Sequence, residues 1–79
     1  MRTTAILVDS DINYLKRLVR LIKGNERICV VGVADSYPHG LKLIEELRPD
    51  ILLSDLQLKG GEGVNLIRQA RTLRPSINP

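Results

Sequence analysis

Aromatic residues are almost absent from this 79-residue chain: it has no Trp and no Phe, and its only aromatic rings besides His39 are Tyr14 and Tyr37. With no aromatic residues interleaved among its cations, it lacks the stacking platform of a single-strand nucleic-acid binder. The net charge of +3 is modest, so no direct nucleic-acid contact is expected. A single cysteine, Cys29, sits in the apolar run Ile28-Cys29-Val30-Val31. It excludes an internal disulfide and reads as a buried structural thiol in a reduced, cytoplasmic protein. No long apolar span and no signal-type region occurs, so neither membrane insertion nor export is expected. No glycine follows the first apolar run, which excludes a dinucleotide fingerprint and a P-loop. Length is short too. A core of this size stabilises by only about 3 to 5 kcal/mol without a metal or a partner.

What is present is a carboxylate at the end of each of two apolar runs. Asp9 closes Ala5-Ile6-Leu7-Val8, and Asp55 closes Ile51-Leu52-Leu53-Ser54. Continuous Ile, Val and Leu bounded by polar residues predicts strands of a parallel sheet covered on both faces, and ligands of such sheets gather at the carboxyl ends of the strands. Two aspartates facing one crevice repel each other unless a cation or a proton intervenes. The pair therefore points to a divalent metal site and to a nucleophile. Asp9, Asp11 and Asp55 are hard oxygen ligands suited to magnesium, which keeps several waters and needs only one or two carboxylates.

The remaining pattern supplies the helices. Ile12, Leu15, Leu18, Val19 and Ile22 follow helical spacing, opened by Ser10 or Asp11 and stopped by Gly24-Asn25. Ile28 to Ala34 predicts a second strand. Asp35-Ser36 offers a cap, Pro38 suits a first turn, and Leu41, Ile44 and Leu47 line one face until Arg48-Pro49. After the loop Lys59-Gly60-Gly61-Glu62-Gly63, a third helix is predicted to bury Val64, Ile67 and Ala70 and to end at Pro75, leaving 76–79 as a tail. The cations Lys16, Arg17, Arg20 and Lys23, with Arg68, Arg71 and Arg74, read as solvated helix faces, and His39, Tyr14 and Tyr37 as exposed or half-buried packing. The order is βαβαβα, a doubly wound α/β unit forming one domain over 1–79.

At this point the residues resemble a family. Pro49-Asp50-Ile51-Leu52-Leu53-Ser54-Asp55-Leu56-Gln57-Leu58, with Gly63 eight residues after Asp55 and Val8-Asp9-Ser10-Asp11 before it, is similar to the receiver domain of two-component response regulators. Arg48-Pro49-Asp50 and Val31-Gly32-Val33-Ala34 look most like receivers of regulators with a helix-turn-helix output. The resemblance implies a partial flavodoxin-like sheet of strand order 2-1-3. It implies that Asp55 accepts a phosphoryl group from a histidine kinase or phosphotransfer protein, and that magnesium is held by Asp9, Asp55 and the main-chain carbonyl of Gln57. Such a chain is a switch rather than an enzyme.

Three departures from the family pattern shape the expectation. Ser10 stands where a second acidic residue is usual, so magnesium should bind weakly. Lys59 replaces the usual proline and should loosen the loop. A receiver continues through two further strands and helices that bring a Ser or Thr and a Lys to the phosphoryl group, so 1–79 reads as a truncated receiver with impaired phosphorylation. An open third-strand edge then predicts a homo-oligomer joined near that strand or the third helix. Two alternatives stand beside this reading. One is a phosphorylation-independent interaction or dimerisation module. The other is an aspartate-based phosphohydrolase using Asp9-Ser10-Asp11 with Ser54 as a phosphate contact, disfavoured by Asn13 and by the lack of room for later motifs.

Overall fold

The computed structural model describes residues 2–78; Met1 and Pro79, the ends of the first-strand pattern and of the tail, lie outside the described residues. Three strands, β1 (Thr3–Val8), β2 (Ile28–Ala34) and β3 (Ile51–Ser54), alternate with helices α1 (Ile12–Lys23) and α2 (Tyr37–Leu47). A two-residue pair, β4 (Gln57–Leu58) and β5 (Gly61–Glu62), then leads into α3 (Gly63–Leu73). The large sheet is parallel with order β2-β1-β3, so the central strand is the one with the most continuous burial, Ala5 to Val8. That order matches the flavodoxin-like expectation.

Alternation along β1 divides its side chains between two layers. Ile6 and Val8 join Ala34, Ile44, Leu52, Leu66, Ala70 and Ile77 in one core beneath α2 and α3. Ala5 and Leu7 are equally buried on the opposite face, where Leu15 of α1 packs. Between Ala5 and Ile6 the register with β2 slips by one, so Val31 has no partner on β1 and projects outward, 37% exposed.

Caps fall where short polar side chains were expected. Asp11 caps α1 by accepting from the Tyr14 N–H, and Ser36 caps α2 by accepting from the His39 N–H. Arg48 ends α2 in the left-handed region (φ 44°), its N–H donated to the Ile44 carbonyl before the buried Pro49.

Two expectations are corrected. α3 buries Gly63, Leu66 and Ala70, whereas Val64 is 43% exposed and Ile67 half-buried. Its rotation is fixed by the close seating of Gly63 rather than by the count of apolar residues on each face. The segment after Pro75 is also more than a tail. Ile77 is 4% exposed, and Asn78 pairs beside Ile51 as a parallel bridge, its carbonyl accepting from the Leu52 N–H and its N–H donating to the Asp50 carbonyl. The edge of β3 expected to be open is thus occupied at its start. Among the described residues no helix is long and apolar enough to cross a membrane.

Candidate functional site

Parallel pairing brings the two aspartates together. Val8 lies opposite Ser54, so the residues that follow them, Asp9 and Asp55, emerge side by side from neighbouring strands. The Asp55 N–H donates to the Val8 carbonyl at 2.9 Å and the Asp9 N–H to the Ala34 carbonyl at 3.0 Å, extending the ladders to the carboxylates themselves. Asp9 is half-buried and Asp55 exposed. Both border a cleft of about 570 Å³ with Ser10, Asp11, Tyr14 and Ser54 at its polar end and Leu7, Leu18 and Leu53 among its apolar walls. Among the described residues no Lys, Arg or His lines it.

Local hydrogen bonds orient each acid. One Asp9 oxygen accepts from the Asp11 N–H at 2.8 Å, while Asp11 turns its own oxygen to the Tyr14 N–H at 3.1 Å. Asp11 is therefore a helix cap. One Asp55 oxygen accepts from the Leu56 N–H at 2.8 Å, and the Ser54 hydroxyl donates to the Asp55 carbonyl at 2.9 Å. Each acid keeps its second oxygen without a protein donor among the described residues, which is the arrangement a carboxylate needs to bind a cation or attack an electrophile. The backbone behind Asp55 is held by Gly63, whose N–H donates to the Leu56 carbonyl at 2.8 Å. A Cβ at position 63 would stand 1.8 Å from the Asp55 carbonyl oxygen. Only glycine fits there.

Gln57 opens β4 opposite Glu62 and does not line the cleft. The loop that Lys59 was expected to loosen is fastened instead. Gly60 takes the turn at φ +84°, Lys59 forms a bridge with Ser36, and the Lys59 carbonyl accepts from the Tyr37 N–H at 2.8 Å. Backbone pairing supplies the stiffness a proline would have given. The signal for this turn was Gly60 alone, since the second central position it fills takes a positive φ that glycine adopts freely.

A second polar group escaped notice in the sequence. At the opposite end of the sheet, one oxygen of Asp50 accepts from the Thr4 N–H at 2.8 Å and its hydroxyl at 3.0 Å, and the other from the Arg74 guanidinium. These Thr4 hydrogen bonds, with help from Arg74, hold the Asp50 carboxyl below the ordinary value of 3.8. Arg74 also donates to the Arg48 carbonyl, tying the end of α3 to the end of α2.

The donor set fits a weakly held magnesium ion. Asp9 and Asp55 offer two hard oxygens, Ser10 adds a neutral hydroxyl, and among the described residues no three acidic, His or Cys side chains gather into a tighter cluster.

Known proteins resemble this chain in sequence and fold. Residues 5–78 match the family model of the response regulator receiver domain. A protein-glutamate methylesterase/protein-glutamine glutaminase of Koribacter versatilis is 37% identical over 71 residues, 86% of this chain and 20% of that protein. The response regulator GacA of Pseudomonas aeruginosa is 33% identical over 73 residues, 91% of this chain and 34% of that protein. The chain therefore spans about a fifth to a third of the curated relatives it matches. Among solved structures, a LuxR-family two-component response regulator from Aurantimonas sp. superposes with a TM-score of 0.87 at 27% identity, covering 98% of this chain and 55% of the other. A family model that matches nearly the whole chain, together with these relatives, is decisive: the chain belongs to the response regulator receiver domain family of two-component signal transduction.

Proposed function

We propose that this receiver domain is phosphorylated at Asp55 by a histidine kinase or phosphotransfer protein and signals through protein contacts rather than by turning over a small substrate. The observation that carries the reading is the position of Asp55: exposed at the end of β3, one oxygen held by the Leu56 N–H and the other open beside Asp9. That open oxygen attacks phosphorus of a phosphohistidine. The P–N bond breaks, its electron pair stays on the imidazole, which takes up a proton, and Asp55 becomes an acyl phosphate. Asp9 and Asp55 would hold magnesium, and the Gln57 carbonyl that the family resemblance adds would have to turn toward the cleft to join them; when bound, the ion neutralises charge on the incoming phosphoryl group. The Ser54 hydroxyl anchors the Asp55 backbone through its carbonyl, and Gly63 keeps that backbone from shifting during attack.

Transfer within this chain should be slow. Among the described residues no Lys, Arg or His lines the cleft, so of the electrostatic stabilisation that phosphoryl transfer needs, several kcal/mol of barrier are left to magnesium and hydroxyl groups. Acetyl phosphate with magnesium is expected to add one phosphoryl group to a fraction of the chain, read by intact mass, and Asp55→Asn is expected to abolish the addition. Labelling that survives Asp55→Asn contradicts the proposal.

A second reading, a phosphorylation-independent interaction module, is favoured by the neutral Ser10 at the cleft. It requires partner binding to be the same in wild type and Asp55→Asn with and without acetyl phosphate.

A further inference from the structure

Beyond the acidic cleft, and on the other flank of α1, lies a second concavity of about 530 Å³. Its floor and walls are Ile12, Leu15 and Val19 of α1 with Val33 and Ala34 of β2. Two of these are conspicuously wet for aliphatic side chains: Ile12 is 50% and Val33 41% exposed. Lys16, Arg20 and Lys23 form its rim along α1, at i, i+4 and i+7, so three cations share one side of the groove over about 10 Å. α1 contains no acidic residue. Among the described residues the ion pairs are Lys42 with Glu46 and Arg74 with Asp50, so none of the three rim cations has a carboxylate partner. The opposite wall carries one acid, Asp35, and the imidazole of His39.

We propose that this α1–β2 groove docks an amphipathic helix of a partner protein, with apolar side chains on one face and carboxylates along the flank that meets Lys16, Arg20 and Lys23. An apolar floor beside a row of unpaired cations is complementary to such a helix in both respects. Asp35 restricts the ligand's acids to the α1 side, because a second acidic flank would meet a like charge. Other anionic partners fit less well. Phosphate backbones need cations but no apolar floor, and the one ring lining the groove among the described residues is the His39 imidazole, without the Trp, Tyr or Phe platform on which successive bases stack. A bilayer contacts ridges, whereas here the apolar residues line a concavity. The site is separate from the Asp55 chemistry, so its failure would leave the proposed phosphorylation untouched.

A designed fluorescent helical peptide with Leu on one face and Glu along one flank serves as the probe, titrated by anisotropy against the 79-residue chain. A peptide of the same composition with scrambled periodicity controls for charge alone. Binding should need the periodicity and weaken about tenfold in Lys16→Glu/Arg20→Glu. It should stay within about twofold in Arg17→Glu, which changes charge on the same helix outside the groove. Amide shifts on wild type should fall on Ile12, Val19 and Val33. Equal binding of the scrambled peptide, equal loss in Arg17→Glu, shifts confined to Leu7, Leu18 and Leu53, or tighter binding of anionic vesicles or duplex DNA at this groove would each overturn the proposal.

Discussion

At the residue scale, the site depends on which oxygens are already engaged. Asp9, Asp11 and Asp55 each engage one oxygen with a backbone N–H, and what separates Asp11 is its place: its bond to the Tyr14 N–H caps α1, whereas Asp9 and Asp55 stand at the ends of neighbouring strands. Ser10 is exposed and uncommitted, so Ser10→Asp should add a third carboxylate and tighten magnesium by roughly an order of magnitude. A titration followed by amide shifts of Asp9 and Asp55 checks this, and unchanged affinity would show that Ser10 does not face the ion. Gly63 sets a sharper limit. Gly63→Ala forces a Cβ to within 1.8 Å of the Asp55 carbonyl, so α3 must move or the chain unfold, at a cost of about 3 kcal/mol or more. Urea unfolding would reveal it; a loss below about 1 kcal/mol would mean the turn relaxes freely.

At the scale of elements, pairing and caps decide how segments meet. The pattern of apolar runs and caps made three strands and three helices legible, because Asp11, Ser36 and Arg48-Pro49 mark boundaries by local chemistry alone, whereas the 2-1-3 order came from the family resemblance. The phase of α3 was not legible: Val64 and Ile67 are as apolar as Leu66, and only the contact between Gly63 and Asp55 selects the buried face. The β4–β5 hairpin and the Asn78 bridge were missed for a related reason, since each is a backbone pairing whose side chains carry no periodic signal. The same holds for Asp50. Its bonds to Thr4 follow from the register of β1 against β3 and not from either residue's neighbours in sequence. Because folding lowers its carboxyl below 3.8, Asp50 contributes stability that is present above that value and lost as pH falls through the lowered one. Asp50→Asn should remove this part of the acid sensitivity, so denaturation midpoints of wild type and variant should converge as pH drops from 5 toward 2. Parallel pH profiles would contradict the role given to Thr4 and Arg74.

At the scale of the whole molecule, exposure is the unusual quantity. The chain exposes 5308 Å², against about 4,800 Å² for a folded monomer of its 8.8 kDa mass. Leu53, Leu56 and Val64, at the end of β3 and the start of α3, are 46%, 67% and 43% exposed. The start of β3 is occupied by Asn78, which leaves its second half and the adjoining apolar surface for association. We therefore expect a two-fold homodimer joined near Leu53 and α3. Sedimentation at tens of micromolar should give twice the chain mass, and Leu53→Asp should return the monomer; a folded monomer in wild type would contradict this. The central claim concerns Asp55, and borohydride tests it most directly, because it reduces an aspartyl phosphate to homoserine at the residue that carried it. After treatment with acetyl phosphate and magnesium, peptide mapping should place homoserine at position 55 and nowhere else; homoserine at position 9, or none after prolonged treatment, would contradict the assignment.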